Sequence, residues 1–167
     1  MKSIYILLII LFPFVGFGQL TYVPDNNFEQ ALINMGYDDV LDDSVITSNI
    51  NTVTQLILSY YEIQDLTGIE DFQNLDSLDC SNNNLTELDL SQNINLNHLS
   101  CYNNWELVEL DVSQNINLLT LWCYNNLLTE LDISNNVNLN SFYCFNNGLT
   151  ELDVSQNVNL ENCLNNA

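Results

Sequence analysis

The sequence predicts a solenoid, in which short parallel β-strands stack turn upon turn. The first observation is a unit, residues 75–95, that the chain then copies from Leu96, Leu118 and Leu139 onward, with an unfinished copy from Leu160. The second is the spacing between these starting points, which is 21, 22, 21 and 21 residues. A constant period of about 20 to 29 residues indicates that each copy forms one turn.

Each copy carries the same apolar framework, L-x-x-L-x-L-x-x-N-x-L. In the first copy it is filled by Leu75, Leu78, Cys80, Asn83 and Leu85, with cysteine in the third leucine position. The later copies hold Leu96, Leu99, Cys101 and Asn104; Leu118, Leu121, Cys123, Asn126 and Leu128; and Leu139, Phe142, Cys144, Asn147 and Leu149. This framework is typical of leucine-rich repeats. We therefore expect a leucine-rich repeat solenoid, mostly β, with a parallel concave sheet, short convex strands, an N-terminal helical cap and no convex helices.

Three segments are predicted along the chain. Residues 1–19 have Lys2, an apolar run and small residues at 16–18, which is the pattern of a secretory signal peptide. The alternative is a buried N-terminal strand. Residues 20–50 form the cap, and residues 51–167 form about five repeats, the last one incomplete. A cleaved signal peptide predicts a secreted protein, extracellular or at the cell surface, with no membrane insertion after cleavage.

The cap should contain one short helix. Asp25 can cap its start, Phe28, Leu32 and Met35 share one face, and Gly36 can end it. This apolar face would cover the open end of the first turn, as a terminal cap of a solenoid must.

The charge of the chain restricts its partners. It has 22 carboxylates and a formal net charge of −21, and Lys2 in the signal segment is the one lysine or arginine. Binding to nucleic acid or to anionic lipid depends on cationic side chains, so both are excluded. Neutral polymers, basic proteins and divalent cations remain as partners.

Cysteine and asparagine each occupy one repeating position. In stacked turns the four framework cysteines form an inward column with parallel Cβ vectors, so we expect buried thiols instead of disulfides. No C-x-x-C motif indicates a metal site. The framework asparagines should turn inward and satisfy the backbone at the bend after each strand. Trp105 and Glu106 add a residue to this bend, which predicts a bulged loop.

The repeats resemble those of a known family. Residues 65–72, DLTGIEDF, resemble the back half of repeats in internalins, the bacterial surface leucine-rich repeat proteins. The later copies, with one cysteine per turn and the phrase LTELDxSxN, resemble internalin J-type repeats and the secreted leucine-rich repeat proteins of Bacteroidetes. The resemblance implies a secreted or surface-displayed binding module, and it names no ligand.

Strand alternation predicts a ligand-binding surface on the concave face. Trp122 and Tyr143 should form one outward column, and Tyr102, Tyr124 and Phe145 an adjacent one. The predicted ligand-binding residues are Tyr102, Trp122, Tyr124, Tyr143, Phe145 and His98. Such a patch usually marks a recognition site, and we expect a protein partner, with a glycan as the alternative. The competing interpretation is that the rings only stack along the sheet.

Two acidic columns should run along the back. They consist of Glu87, Glu109, Glu130 and Glu151, and of Asp89, Asp111, Asp132 and Asp153. A solvated face is the main interpretation, and calcium bridging between the columns is the alternative. We also expect the aspartates to accept backbone N–H bonds from the next turn, which would offset the repulsion between their charges. We expect no other cofactor. We also expect no enzyme, because His98 lacks triad partners and the carboxylates stand in rows on an open surface.

A second class of function is also consistent with the sequence. The chain could be a structural or assembly fragment of a larger surface protein. An uncapped last turn exposes a sheet edge, which predicts end-to-end self-association.

Overall fold

The computed structural model describes residues 18–164, so residues 1–17 of the predicted signal peptide and the final three residues lie outside the described part. The elements are, in chain order, β1 (Leu20–Tyr22), α1 (Asn26–Asn34), β2 (Ser44–Ile46), α2 (Thr47–Ile50), β3 (Gln55–Ile57), a 3₁₀ turn (Ile69–Asp71), β4 (Ser77–Asp79), β5 (His98–Ser100), β6 (Thr120–Trp122), β7 (Ser141–Tyr143) and β8 (Asn162–Leu164). They form a parallel β-solenoid preceded by a small α/β cap.

Strands β3 to β8 form one parallel sheet in chain order, with one strand per turn. The register aligns the framework positions, so that Leu56 pairs with Leu78, Leu78 with Leu99 and Leu99 with Leu121. A shift of one residue would turn these buried leucines toward solvent, so their burial determines the register. The predicted solenoid with a parallel sheet is confirmed.

The core is made of files of leucine and cysteine. Leu75, Leu96, Leu118 and Leu139, which open successive copies, are fully buried. All four framework cysteines are buried as well. Cys80, Cys101 and Cys123 are free thiols, and burial raises the pKa of each well above its usual value. They therefore stay protonated and pack as small apolar side chains, which confirms the predicted cysteine column.

The N-terminal helix forms where the sequence predicts it. Asp25 Oδ1 accepts hydrogen bonds from the N–H groups of Asn27 (2.8 Å) and Phe28 (3.1 Å), which caps α1. Gly36, just beyond its end, has φ +81°, a conformation that favours glycine. Phe28 and Leu32 are fully buried and belong to the core of the solenoid.

Asp25 also joins the cap to the first turn of the solenoid, residues 53–74. Its second oxygen, Oδ2, accepts from the N–H groups of Gln64 (2.7 Å) and Asp65 (3.0 Å). Nearby, Gly68 has φ +105°, and a Cβ there would lie 2.7 Å from the carbonyl oxygen of Tyr22 in β1. One carboxylate and one glycine thus allow the cap to pack directly against the first turn.

The convex side differs from the prediction. Residues 87–90 alternate as expected, with Leu88 and Leu90 buried and Glu87 exposed, yet the structure has no strand on the back of any described turn. Side-chain amides connect the turns there instead: Asn115 Nδ2 donates to the carbonyl oxygens of Leu90 (3.1 Å) and Asn93 (3.0 Å) of the preceding turn. The prediction of short convex strands is therefore wrong.

The first turn has one short 3₁₀ segment on its convex side. Its back contains the 3₁₀ turn Ile69–Asp71, which follows the left-handed Gly68. Phe72 ends this turn at the position that buried asparagines such as Asn93 hold in later copies, and its carbonyl oxygen accepts from Asn93 Nδ2 at 3.3 Å. The Phe72 side chain is fully buried and has no amide to donate at this position.

The framework asparagines turn inward as predicted. Asn104 is fully buried, and its Nδ2 donates to the carbonyl oxygens of Cys80 (3.1 Å) and Cys101 (2.9 Å), while its Oδ1 accepts from Leu85 N–H (3.1 Å). The extra residue that follows is accommodated in a turn closed by Leu107 N–H and the Asn104 carbonyl oxygen at 2.9 Å, with Trp105 exposed. The predicted bulge is confirmed.

Candidate functional site

Five aromatic side chains lie together on the concave face. Strand pairing places Trp122 beside Tyr143, while Tyr102, Tyr124 and Phe145 follow the strands β5, β6 and β7 two residues after each strand end. All five are half-buried. The two predicted aromatic columns are therefore present, and we call these five residues the aromatic surface.

The longer column is a continuous stack of rings. The ring centroids of Tyr102 and Tyr124 are 4.5 Å apart with planes inclined by 6°, and those of Tyr124 and Phe145 are 4.5 Å apart at 11°. This spacing is close to the distance of about 4.8 Å between neighbouring strands, so the sheet itself brings the rings into contact. Tyr124, at the centre, has a ring against each of its faces and turns its edge toward the open side.

The shorter column is less regular. The rings of Trp122 and Tyr143 lie 5.8 Å apart and are tilted by 31°. Trp122 Nε1 donates to Ser141 Oγ at 3.2 Å, which holds the indole across the sheet.

The central ring of the longer column is partly desolvated. Burial raises the pKa of Tyr124 above its usual value, and the nearby hydroxyl of Tyr102 raises this pKa further. The aromatic surface is thus a packed, partly desolvated face whose rings have defined positions.

His98 stands apart from these rings. It begins β5, it is exposed, and it pairs with Ser77 on one side and Thr120 on the other. It belongs to a third outward column that is otherwise made of uncharged polar residues. The structure therefore does not join His98 to the two aromatic columns.

The concave face changes character at the second turn. The second turn, which contains β4, has Ser81 at the position of the longer column, which holds Tyr102, Tyr124 and Phe145 in later turns. It has Asp79 at the position of the shorter column, which holds Trp122 and Tyr143. Asp79 Oδ1 accepts from the N–H (3.0 Å) and from the hydroxyl (2.6 Å) of Ser81. The aromatic surface thus borders directly on a polar area that carries a carboxylate.

A ladder of asparagine amides forms the rim beside the aromatic stack. Asn82, Asn103, Asn125 and Asn146 all have positive φ, between 53° and 58°. Asn103 Nδ2 donates to Asn82 Oδ1 at 2.7 Å, and the later members continue the series. Sequence reasoning missed this role, although the repeated Asn-Asn pair is a signal, because asparagine tolerates the left-handed conformation better than most residues. The ladder supports the bend from which each aromatic ring projects.

The acidic back face is organised differently from the prediction. A shallow groove of about 950 Å³ is lined by three successive Glu-Leu-Asp segments, 109–111, 130–132 and 151–153. The aspartates bond within their own turns: Asp89 Oδ1 accepts from Ser91 N–H at 2.9 Å, and Asp132 Oδ1 from Ser134 N–H at 2.8 Å. These bonds lower the pKa of both carboxyl groups. The predicted bonding to the next turn is wrong, because the amide two residues ahead is closer.

Neither a metal site nor a membrane span is found in residues 18–164. No group of three or more histidine, cysteine, aspartate or glutamate side chains there is arranged to hold a metal ion. No helix in the same part of the chain is long and apolar enough to cross a bilayer.

Comparisons with known proteins agree with this architecture. No family model matches the chain. Internalin J of Listeria monocytogenes serotype 4b (strain F2365) is 40% identical over 72 residues, which are 43% of this chain and 8% of that protein. The crystal structure of an internalin, InlF, from Listeria monocytogenes matches with a TM-score of 0.72 at 20% identity, over 86% of this chain and 44% of that one.

A third comparison extends the likeness beyond Listeria. A leucine-rich repeat protein of Leptospira interrogans matches with a TM-score of 0.53 at 27% identity, over 57% of this chain and 26% of that one. The chain spans less than half the length of each of these relatives. The structural likenesses support the fold, and the identity to internalin J relates the repeats themselves.

Proposed function

We propose that this chain, which is a leucine-rich repeat protein related to the Listeria internalins, is a secreted or surface-displayed adhesion module that binds a protein through its aromatic surface. The observation that carries the proposal is the packing of five large rings on adjacent turns of one open face. Tyrosine and tryptophan dominate the energetics of protein interfaces because they bury large areas at a small cost in conformational entropy.

The orientation of the rings favours a protein partner over a glycan. Sugar rings are usually held flat against an open aromatic face. In the long column the faces of Tyr102, Tyr124 and Phe145 are directed at one another, and their edges are directed outward. A row of ring edges and phenolic hydroxyls suits the side chains and backbone groups of an extended segment, which can follow the column across the turns.

The stacking contacts between the rings are compatible with a role in recognition. They stabilise the sheet by about 0.5–1.5 kcal/mol per pair, which is a structural role. The same contacts also hold the rings in place before a partner arrives, so that less conformational entropy is lost on binding. Structure and recognition are therefore compatible in one set of residues, and an experiment must separate them.

The test is a parallel screen of the purified chain against a phage-displayed library of random 12-residue peptides and against a glycan array. The variants Trp122→Ala and Tyr143→Ala change the shorter column. Trp105→Ala is the matched control, because Trp105 is 62% exposed in the inserted turn and is not a member of either column. All variants are first compared by circular dichroism and thermal unfolding.

We expect peptides that bind the unchanged protein and the Trp105 variant equally and bind the Trp122 variant about 30-fold more weakly, the loss typical of a hot-spot tryptophan. Peptide binding that survives both Trp122→Ala and Tyr143→Ala overturns the proposal. Selective binding of glycans with the same dependence on Trp122 would replace the protein partner with a carbohydrate.

A further inference from the structure

The first turn of the solenoid adds two exposed apolar side chains to the concave face. Ile57 ends β3, and the strand register aligns it, one turn after another, with Asp79, Ser100 and Trp122. Tyr60 follows three residues later in the chain. Ile57 is 52% exposed and Tyr60 is 76% exposed, so both side chains are open to solvent. We call these two residues the first-turn patch.

Tyr60 has a backbone conformation that does not suit a tyrosine. Its φ is +65°, in the left-handed region, where a bulky side chain is strained. Later turns have asparagine at the same position, beginning with Asn82, and asparagine tolerates this conformation. Tyr60 also ends the asparagine ladder, because Asn82 Nδ2 donates to Ser81 Oγ at 3.2 Å and has no amide of the first turn beside it. The ring therefore disfavours the folded backbone here, and its exposure means that it contributes little to the core.

Tyr60 lies on the same face as the aromatic surface. Burial is the main cause of the raised pKa of Tyr124, followed by Tyr102, and the hydroxyl of Tyr60 is among the other nearby groups that raise this pKa. Tyr60 is thus within electrostatic reach of the centre of the stack. Strained residues that the fold does not need are concentrated at binding sites, so Tyr60 is a candidate contact for the partner.

We propose, on the basis of the protein-binding function above, that the partner binds as an extended segment with two large apolar side chains about four residues apart, one on the aromatic surface and one on the first-turn patch. Ile57 and Trp122 lie in strands three steps apart, β3 and β6, which is about 14 Å at the usual strand spacing. An extended chain covers this distance in about four residues. Side chains four residues apart point to the same side of an extended chain, so both can face the sheet.

The residues between the two contacts restrict the middle of the segment. Asp79 and Ser100 lie between Ile57 and Trp122 in the same column, so this part of the face is polar. From residue 3 to residue 167 the chain has no lysine or arginine. An acidic residue in the middle of the segment would be repelled, and polar or basic residues are favoured. A second copy of this chain, with the same formal charge of −21, would also be repelled.

The experiment repeats the selection from the phage-displayed library of random 12-residue peptides on four chains: the unchanged protein and the variants Tyr60→Asn, Glu62→Asn and Trp122→Ala. Tyr60→Asn introduces the residue that later turns have at this position. Glu62→Asn is the matched control, because Glu62 is exposed in the same bend and also has a left-handed backbone, with φ +61°. Thermal unfolding of each chain is measured by circular dichroism.

We expect both asparagine variants to melt about 2–4 °C higher than the unchanged protein, because asparagine relieves the strained backbone. Peptides selected on the unchanged protein and on the Glu62 variant should share two large apolar residues about four positions apart. Peptides selected on the Tyr60 variant should lose this spacing. The peptides from the unchanged protein should bind Tyr60→Asn about five- to thirtyfold more weakly, the loss typical of an interface tyrosine, and should bind Glu62→Asn equally well.

Three results would overturn the inference. The first is the absence of this spacing from peptides selected on the unchanged protein. The second is a Tyr60→Asn variant that binds those peptides as tightly as Glu62→Asn does. The third is a lower melting temperature of Tyr60→Asn, which would assign the ring to the stability of the fold.

The outcome can be told apart from that of the proposed function. Peptides that depend on Trp122 but have no fixed spacing and ignore Tyr60→Asn would leave the protein-binding function standing and refute the two-contact segment. Failure of every peptide to depend on Trp122 would refute the function itself.

Discussion

Replacing Asn104 with alanine should destabilise the protein far more than the same change at Asn115. Both asparagines are fully buried, and both donate two hydrogen bonds through Nδ2 to carbonyl oxygens. They differ at the other end of the side chain. Asn104 Oδ1 accepts from Leu85 N–H at 3.1 Å, whereas Asn115 Oδ1 is buried without a hydrogen-bond partner among residues 18–164.

The magnitudes follow from these contacts. In Asn104→Ala, two hydrogen bonds of about 1 kcal/mol each are lost, and the buried Leu85 N–H loses its acceptor at a cost of about 1–3 kcal/mol. We expect a loss of about 3–5 kcal/mol in the free energy of unfolding. In Asn115→Ala the two acceptors keep backbone donors, Asn93 N–H (3.0 Å) and Leu96 N–H (3.2 Å). Removal of the unpaired buried oxygen offsets the lost bonds, so the expected loss is about 1 kcal/mol or less.

The assay is equilibrium unfolding in urea, followed by circular dichroism and by tryptophan fluorescence. The dependence of the unfolding free energy on urea concentration is compared between variants. Asn95→Ala serves as the control, because Asn95 is exposed and donates one bond, to the Gln73 carbonyl oxygen at 2.8 Å. It should change stability by about 0.5 kcal/mol or less. Equal losses for Asn104→Ala and Asn115→Ala, or a larger loss for Asn115→Ala, would refute this account of the two asparagine files.

Three further predictions concern other parts of the fold. Cys101 and Cys123 should not react with a thiol reagent at pH 8 in the folded protein and should react fully in urea, because burial protects the thiols and raises their pKa; rapid labelling of the native state would contradict this. The hydrogen bonds from Ser91 lower the pKa of Asp89, so the ionised carboxylate stabilises the folded state above about pH 4. This stabilisation is lost as pH falls through the lowered pKa. Asp89→Asn should therefore reduce the melting temperature more at pH 6 than at pH 2.5, and an equal reduction at both pH values would count against the assignment. Tyr124→Ala removes two stacking contacts and should cost about 1–3 kcal/mol, roughly twice the cost of Phe145→Ala, which removes one; the reverse order in urea unfolding would show that the stack is not the source of stability.

Much of the aromatic surface could be predicted from the sequence because a solenoid has one dominant variable, its period. Once Leu78, Leu99 and Leu121 are placed inside the coil, strand alternation puts Trp122 and Tyr124 outside. The inward file of asparagines follows from the same logic, since the bend after each strand leaves backbone groups that need partners. His98 shows the limit of this reasoning. It lies on the predicted face, but its neighbours across the sheet are Ser77 and Thr120, so it does not join the rings.

The parts that could not be predicted depend on competition between hydrogen-bond partners at short range. An alternating segment such as residues 87–90 is compatible with a strand, and only the folded distances show that the Asn115 amide reaches the carbonyl oxygens of the preceding turn. The same holds for Asp89, whose carboxylate meets the amide of Ser91 before any group of the next turn.

The sequence by itself determined the solenoid, its register, the buried files and the residues of the concave face, because a repeated period converts position in the chain directly into position in the coil. Only the tertiary structure decided how those residues face one another. The rings of Tyr102, Tyr124 and Phe145 are stacked with their edges outward, and the stack ends at Tyr102, next to Ser81 of the preceding turn. Ring orientation depends on packing against the neighbouring turn, and one-dimensional periodicity contains no information about that angle.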